Sequence, residues 1–219
     1  MYLANIRKRK KRRKVSRKRR RKNLPQSVLY GMAFLAFLAC STLLFYAYHS
    51  QEGAQAASTD TSQSSQDTTT ITFIQTIGET ARQIAAQNDL YASVMIAQAV
   101  LESNSGQSAL SQPPYYNFFG IKGDYNGQTV TMKTWEDDGS GNAYTIDAQF
   151  RSYGSLEESL QDYAQFLQKD LYAGVHKSQT TSYQEATAAL TGTYATDTSY
   201  GDKLNQIISE YDLTIYDSW

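Results

Sequence analysis

A chain of 219 residues with one cysteine and two histidines has little means of cross-linking itself or of holding a metal. The single thiol, Cys40, excludes an internal disulfide and lies inside an apolar run. His49 and His176 are far apart and have no ligand-spaced companions, so neither a structural nor a catalytic zinc is expected. No internal repeat is visible. Basic residues are also scarce over most of the chain: 14 of the 21 Lys and Arg fall between Arg7 and Lys22, leaving seven for the remainder against all 21 Asp and Glu. Formal neutrality therefore conceals a basic head and an acidic body of net charge −14.

The chain has one long uncharged apolar run, the 21 residues Val28 to Tyr48. At about 1.5 Å per residue it covers roughly 30 Å, the thickness of a bilayer's hydrocarbon core. Residues 28–48 are expected to form a transmembrane anchor. The alternative is a signal segment cut near Ala56, where "AQA" at 54–56 reads small-x-small. The basic residues 1–27 could neutralise nucleic-acid phosphates, but their adjacency to the span points to topology instead. Positive charge stays on the cytoplasmic side and can meet anionic headgroups. The expected partner is thus the cytoplasmic membrane and no nucleic acid, with the acidic body outside. Residues 49–70 are polar, small and free of aromatics over 50–70, a composition that reads as a disordered tether.

Residues 71–219 carry the pattern of one compact domain. Phe73, Ile77, Ala81 and Ile84 recur at helical spacing. A second, nearly all-apolar helix is expected over 93–103, with Ser93 as its N-cap. "TVTMKTWE" and "AYTIDAQFRSY" alternate with period two around "DDGSGN", a hairpin. "SLEE" at 155–158 and "SYQE" at 182–185 are capping boxes that open two further helices, and a last helix spans about 200–211. The expected class is α+β, predominantly helical.

Glu102 ends the apolar helix. On the helix alone it reads as an ordinary acid of a solvent-exposed last turn; if it is buried instead, desolvation and the negative end of the helix dipole both disfavour its charge and raise its pKa. A carboxyl kept protonated near neutral pH can donate that proton to a leaving group. Glu136, at the end of "TVTMKTWE", offers a second acid, and two acids across a cleft are the usual equipment for glycoside hydrolysis. Between them lies a loop with Tyr115, Tyr116, Phe118, Phe119 and Tyr125. Sugar faces favour such rings, although core packing accounts for some of them, Phe119 included. "DDGSGN" lacks the alternating ligands of a calcium loop.

The blocks "SVMIAQAVLESNSGQS", "YYNFFGIKG", "TVTMKTWE", "AQFRSYGSLEESLQDYAQFL" and "TYATDTSYGDKLNQII" together resemble the glucosaminidase family of bacterial peptidoglycan hydrolases, glycoside hydrolase family 73. They occur in that family's order and cover nearly all of 71–219. The resemblance implies a lysozyme-like fold with a helical lobe and a small β-hairpin lobe, and cleavage of β-1,4 bonds in cell-wall glycan, foremost as an endo-β-N-acetylglucosaminidase. It places the general acid on Glu102, the second acid on Glu136, and a catalytic tyrosine near the sugar's N-acetyl group on Tyr194. Tyr200 is a further tyrosine of the same motif, and Asn117 and Phe118 are implied groove-wall positions. Tyr116 stands where the family often has Asn, and Ser105 where it often has Trp. No cofactor is implied, and the chain is expected to act as a monomer on peptidoglycan strands from a bacterial membrane anchor. A muramidase, a lytic transglycosylase and a silent glycan-binding scaffold are the alternatives.

Overall fold

The computed structural model describes residues 59–137 and 143–218, with side chains from residue 65 onward except at 135–144. The basic head, the apolar span, the tether up to residue 58 and the "DDGSGN" turn beyond Asp137 lie outside the described residues. None of the described helices is long and apolar enough to cross a membrane.

Helix α1, Thr59–Gln87, begins eleven residues before the expected end of the tether at residue 70. Composition misled here because the hydroxyls have partners within the helix. Thr69, Thr70, Thr72 and Thr76 each donate to the carbonyl four residues back. Thr70 is buried and its hydroxyl lies 2.7 Å from that of Ser105, so the domain starts before residue 71. Further along, Ile74, Ile77, Ala81, Ile84 and Ala85 supply the buried stripe.

Helix α2, Ala92–Ser103, is the centre of the molecule: every residue from Ala92 to Val100 is buried. It packs against α1, the last helix and the C-terminal 3-10 turn Leu213–Asp217. Its start differs from expectation. Ser93 lies inside the first turn, not at the cap, and donates through its backbone N–H (2.9 Å) and its hydroxyl (2.6 Å) to the Asp217 carboxylate. An acid 124 residues away thus satisfies a free N–H at the positive end of the dipole.

The hairpin pairs β1, Thr129–Asp137, with β2, Ala143–Arg151, antiparallel, Val130 opposite Phe150 and Glu136 opposite Tyr144. Helices α3, Leu156–Phe166, and α4, Tyr183–Leu190, start as expected. Ser155 and Ser182 accept from the N–H groups of Glu158 and Glu185. Each glutamate reaches back one residue further than in a standard capping box, to the N–H of Gly154 and of Thr181. Helix α5, Tyr200–Glu210, packs on α4 through Gly201. A Cβ there would lie 3.0 Å from the Thr187 carbonyl oxygen and 3.2 Å from the Thr191 hydroxyl. The whole is an α+β domain dominated by helix, with one two-stranded sheet among the described residues.

Candidate active site

Three consecutive left-handed residues, Asn104, Ser105 and Gly106 (φ 51°, 55° and 75°), reverse the chain directly after α2. Gly106 is required there, because a Cβ would also fall 2.6 Å from the Phe73 ring. The reversal leaves Glu102 in the last helical turn, facing a cavity of about 190 Å³. Leu110, Asn117 and Gly120 line its helical side, and Met132 and Phe150 come from the hairpin.

The Glu102 carboxyl accepts a 2.8 Å hydrogen bond at Oε1 from the Tyr200 hydroxyl. Burial raises its pKa to about 7, with the Tyr200 bond and the Lys203 charge pulling in the opposite direction. Lys203 is itself paired with Asp197 at 2.7 Å, and Asp197 accepts from the Ser199 N–H and hydroxyl ahead of α5. Behind Glu102 the polar chain continues inward. Gln98 Nε2 donates to the Tyr200 oxygen at 2.9 Å, and the Tyr163 hydroxyl donates to Gln98 Oε1. Tyr163 stacks on Phe119 with ring centroids 3.9 Å apart, and Tyr194 lies parallel to Tyr200 at 6.0 Å. Burial, and then the charge of Glu102, push the phenols of Tyr163, Tyr194 and Tyr200 well above the usual range, so all three stay protonated.

The hairpin is fixed to the helical lobe at its base. Asn117 donates through Nδ2 to the carbonyls of Ile121 and Arg151 and accepts from the Ile121 N–H. The Arg151 guanidinium grips both oxygens of Asp162 on α3 at 2.7 and 2.6 Å, and the Tyr153 hydroxyl donates to the same carboxylate at 2.7 Å. Glu136 lies four residues along β1 from Met132.

Residues 78–213 match the glucosaminidase family, described as mannosyl-glycoprotein endo-beta-N-acetylglucosaminidase. The chain belongs to the glucosaminidase family of glycoside hydrolases. It is 52% identical over 153 residues to an autolysin of Enterococcus faecalis, covering 67% of this chain and 21% of that protein. A probable N-acetylmuramidase of Lactococcus lactis subsp. cremoris is 50% identical over 151 residues, 66% of this chain and 34% of the relative. This chain therefore spans only a fifth to a third of these relatives. Among solved structures, the catalytic domain of the Listeria monocytogenes autolysin Auto superposes with a TM-score of 0.66 at 42% identity, covering 80% of this chain and 97% of that domain.

Within this glucosaminidase domain the expected site residues divide. Glu102 and Asn117 share the cavity, and Tyr200 is bonded to Glu102. Tyr194 is a correction: it is 1% exposed and its hydroxyl donates to the Phe119 carbonyl at 2.9 Å, so it packs beneath the site. Phe118 is another, buried edge-on against Phe73 with centroids 5.4 Å apart instead of forming a groove wall. Tyr116 is half-buried against the core, with a left-handed backbone at φ 49°. Ser105 is buried, its hydroxyl 2.7 Å from that of Thr70 on α1. The Glu136 backbone is in β1, but its side chain lies outside those described. Sequence reasoning missed Gln98 and Tyr163. The available signal was Gln98 itself, the sole amide in a nearly all-apolar helix and one turn before Glu102.

Proposed function

We propose that this protein hydrolyses β-1,4 glycosidic bonds in peptidoglycan strands on the N-acetylglucosamine side, as an endo-acting glucosaminidase. The supporting observation is the Glu102 carboxyl: desolvated, open to a cavity between the lobes, and carrying a pKa of about 7. Such a group holds a proton at neutral pH and delivers it to the leaving glycosidic oxygen as the bond breaks. Glu136 then activates a water or stabilises the oxocarbenium charge, and Tyr200 keeps the Glu102 carboxyl in place. Tyr194 supports this tyrosine layer from below.

The chain's layout fits that substrate. A basic cytoplasmic head, an apolar span over 28–48 and a short tether would hold the domain outside the membrane, facing the wall. Its acidic body carries few cations, so glycan hydroxyls and ring faces are more apt ligands than phosphates.

The linkage is the finer part of the proposal, because the lactococcal relative is named for the muramidase bond. Digestion of purified peptidoglycan by the full chain, followed by mass spectrometry of reduced muropeptides, separates the readings. N-acetylglucosamine at the new reducing end is expected. N-acetylmuramic acid there would make the enzyme a muramidase, and anhydro sugars would make it a lytic transglycosylase.

A further inference from the structure

The acid does not stand alone on α2. Gln98 precedes Glu102 by one helical turn, is fully buried, and uses both ends of its amide. Its oxygen takes the one hydrogen that Tyr163 can give. Its nitrogen can only donate, and it donates to the Tyr200 oxygen. The Tyr200 hydroxyl hydrogen is thereby directed to Glu102 Oε1. An oxygen accepting that bond is the carbonyl-like member of a protonated carboxyl, so the acid's proton resides on Oε2. We infer that Gln98 is a positioning residue: oriented by Tyr163, it fixes the Tyr200 hydroxyl as a donor and so keeps the transferable proton of Glu102 on the oxygen turned away from the buried chain. The inference rests on the reading of Glu102 as the general acid.

The groups facing Glu102 limit what else could set its proton. Tyr200 and Lys203 approach from α5, Tyr163 from α3 and Tyr194 from the segment before α5, while the Glu136 side chain is outside those described. Only Tyr200 bonds the carboxyl directly among the described residues, and Gln98 is the group that orders Tyr200. Without the amide, the Tyr200 hydroxyl is free to turn and accept the Glu102 proton instead. The neutral acid would then be favoured, but its proton would point away from the substrate.

The test uses Gln98→Met, which keeps length and volume, together with Tyr200→Phe, the double variant, and Tyr163→Phe, which removes one hydroxyl while leaving the stacked ring. Each full-length protein is assayed on soluble peptidoglycan glycan fragments across pH. For Gln98→Met, kcat should fall about 10- to 100-fold. The alkaline limb of kcat/KM should move up by about one pH unit, as for Tyr200→Phe, because a donor to the carboxylate is lost. Tyr163→Phe should shift the limb in the same direction by less. The double variant should be no slower than Tyr200→Phe alone, since Gln98 acts through that hydroxyl. A limb unmoved in both Gln98→Met and Tyr163→Phe, a limb moved to lower pH, or losses that multiply in the double variant would overturn the inference. Wild type and Glu102→Gln serve as references. If Glu102→Gln were as active as wild type, the general-acid reading itself would fail, whatever Gln98 does.

Discussion

At the scale of single residues, the proposed function rests on one carboxyl whose surroundings oppose its charge. Burial raises the Glu102 pKa to about 7, so activity should fall as pH rises through that value, seen as the alkaline limb of kcat/KM. Glu102→Gln should lose about 100-fold or more of kcat on wall material, the usual worth of a positioned acid. The same shift has a stability consequence. Its folded pKa lies above the unfolded value near 4.5, so the folded state binds more protons between about 4.5 and about 7. Wild-type stability should therefore drop across that window as pH rises, by an amount on the order of 1–3 kcal/mol. Glu102→Gln should lack the drop, and denaturant melts at pH 4 and pH 8 compare the two. The place of Glu102 at the end of a buried helix was legible in the sequence from the apolar run before it. The tyrosine bonded to it was not: Tyr194 and Tyr200 sit six residues apart in one motif, and only the turn into α5 decides which hydroxyl reaches the carboxyl.

At the scale of elements, the site depends on where α2 and α5 are held. Gly201→Ala would press a methyl against the Thr187 carbonyl and Thr191 hydroxyl, pushing α5 and Tyr200 off α4. A loss of about 1–3 kcal/mol is expected in chemical unfolding, with reduced turnover. Asp217→Ala should cost about 1 kcal/mol by leaving the α2 N-terminus and the Ser93 hydroxyl without their acceptor. The hairpin and the starts of α3 and α4 were readable because their signals are local: alternation, and Ser three residues before Glu. The cap of α2 was not, since Asp217 comes from the opposite end of the chain. The aromatic loop was half readable. Its richness in rings was plain, but the division of Phe118 and Phe119 into the core and Tyr115 and Tyr116 toward the surface is set by tertiary packing.

At the scale of the whole molecule, the described domain begins inside a Thr-rich segment, where α1 starts at Thr59. A chain beginning at residue 71 loses the buried Thr70–Ser105 bond and the first turns of α1. It should unfold at a temperature several degrees below one beginning at residue 59, in line with a loss of about 1–3 kcal/mol. Composition alone hid this because hydroxyl-rich stretches resemble linkers until their side chains find helix carbonyls to bond. The proposed cleavage of wall glycan then depends on one carboxyl remaining protonated at neutral pH. A carbon-13 NMR titration of the Glu102 carboxyl, assigned by its disappearance in Glu102→Gln, measures that directly. A midpoint of about 7 is expected, and a midpoint near 4.5, the value of a solvated glutamate, would contradict it.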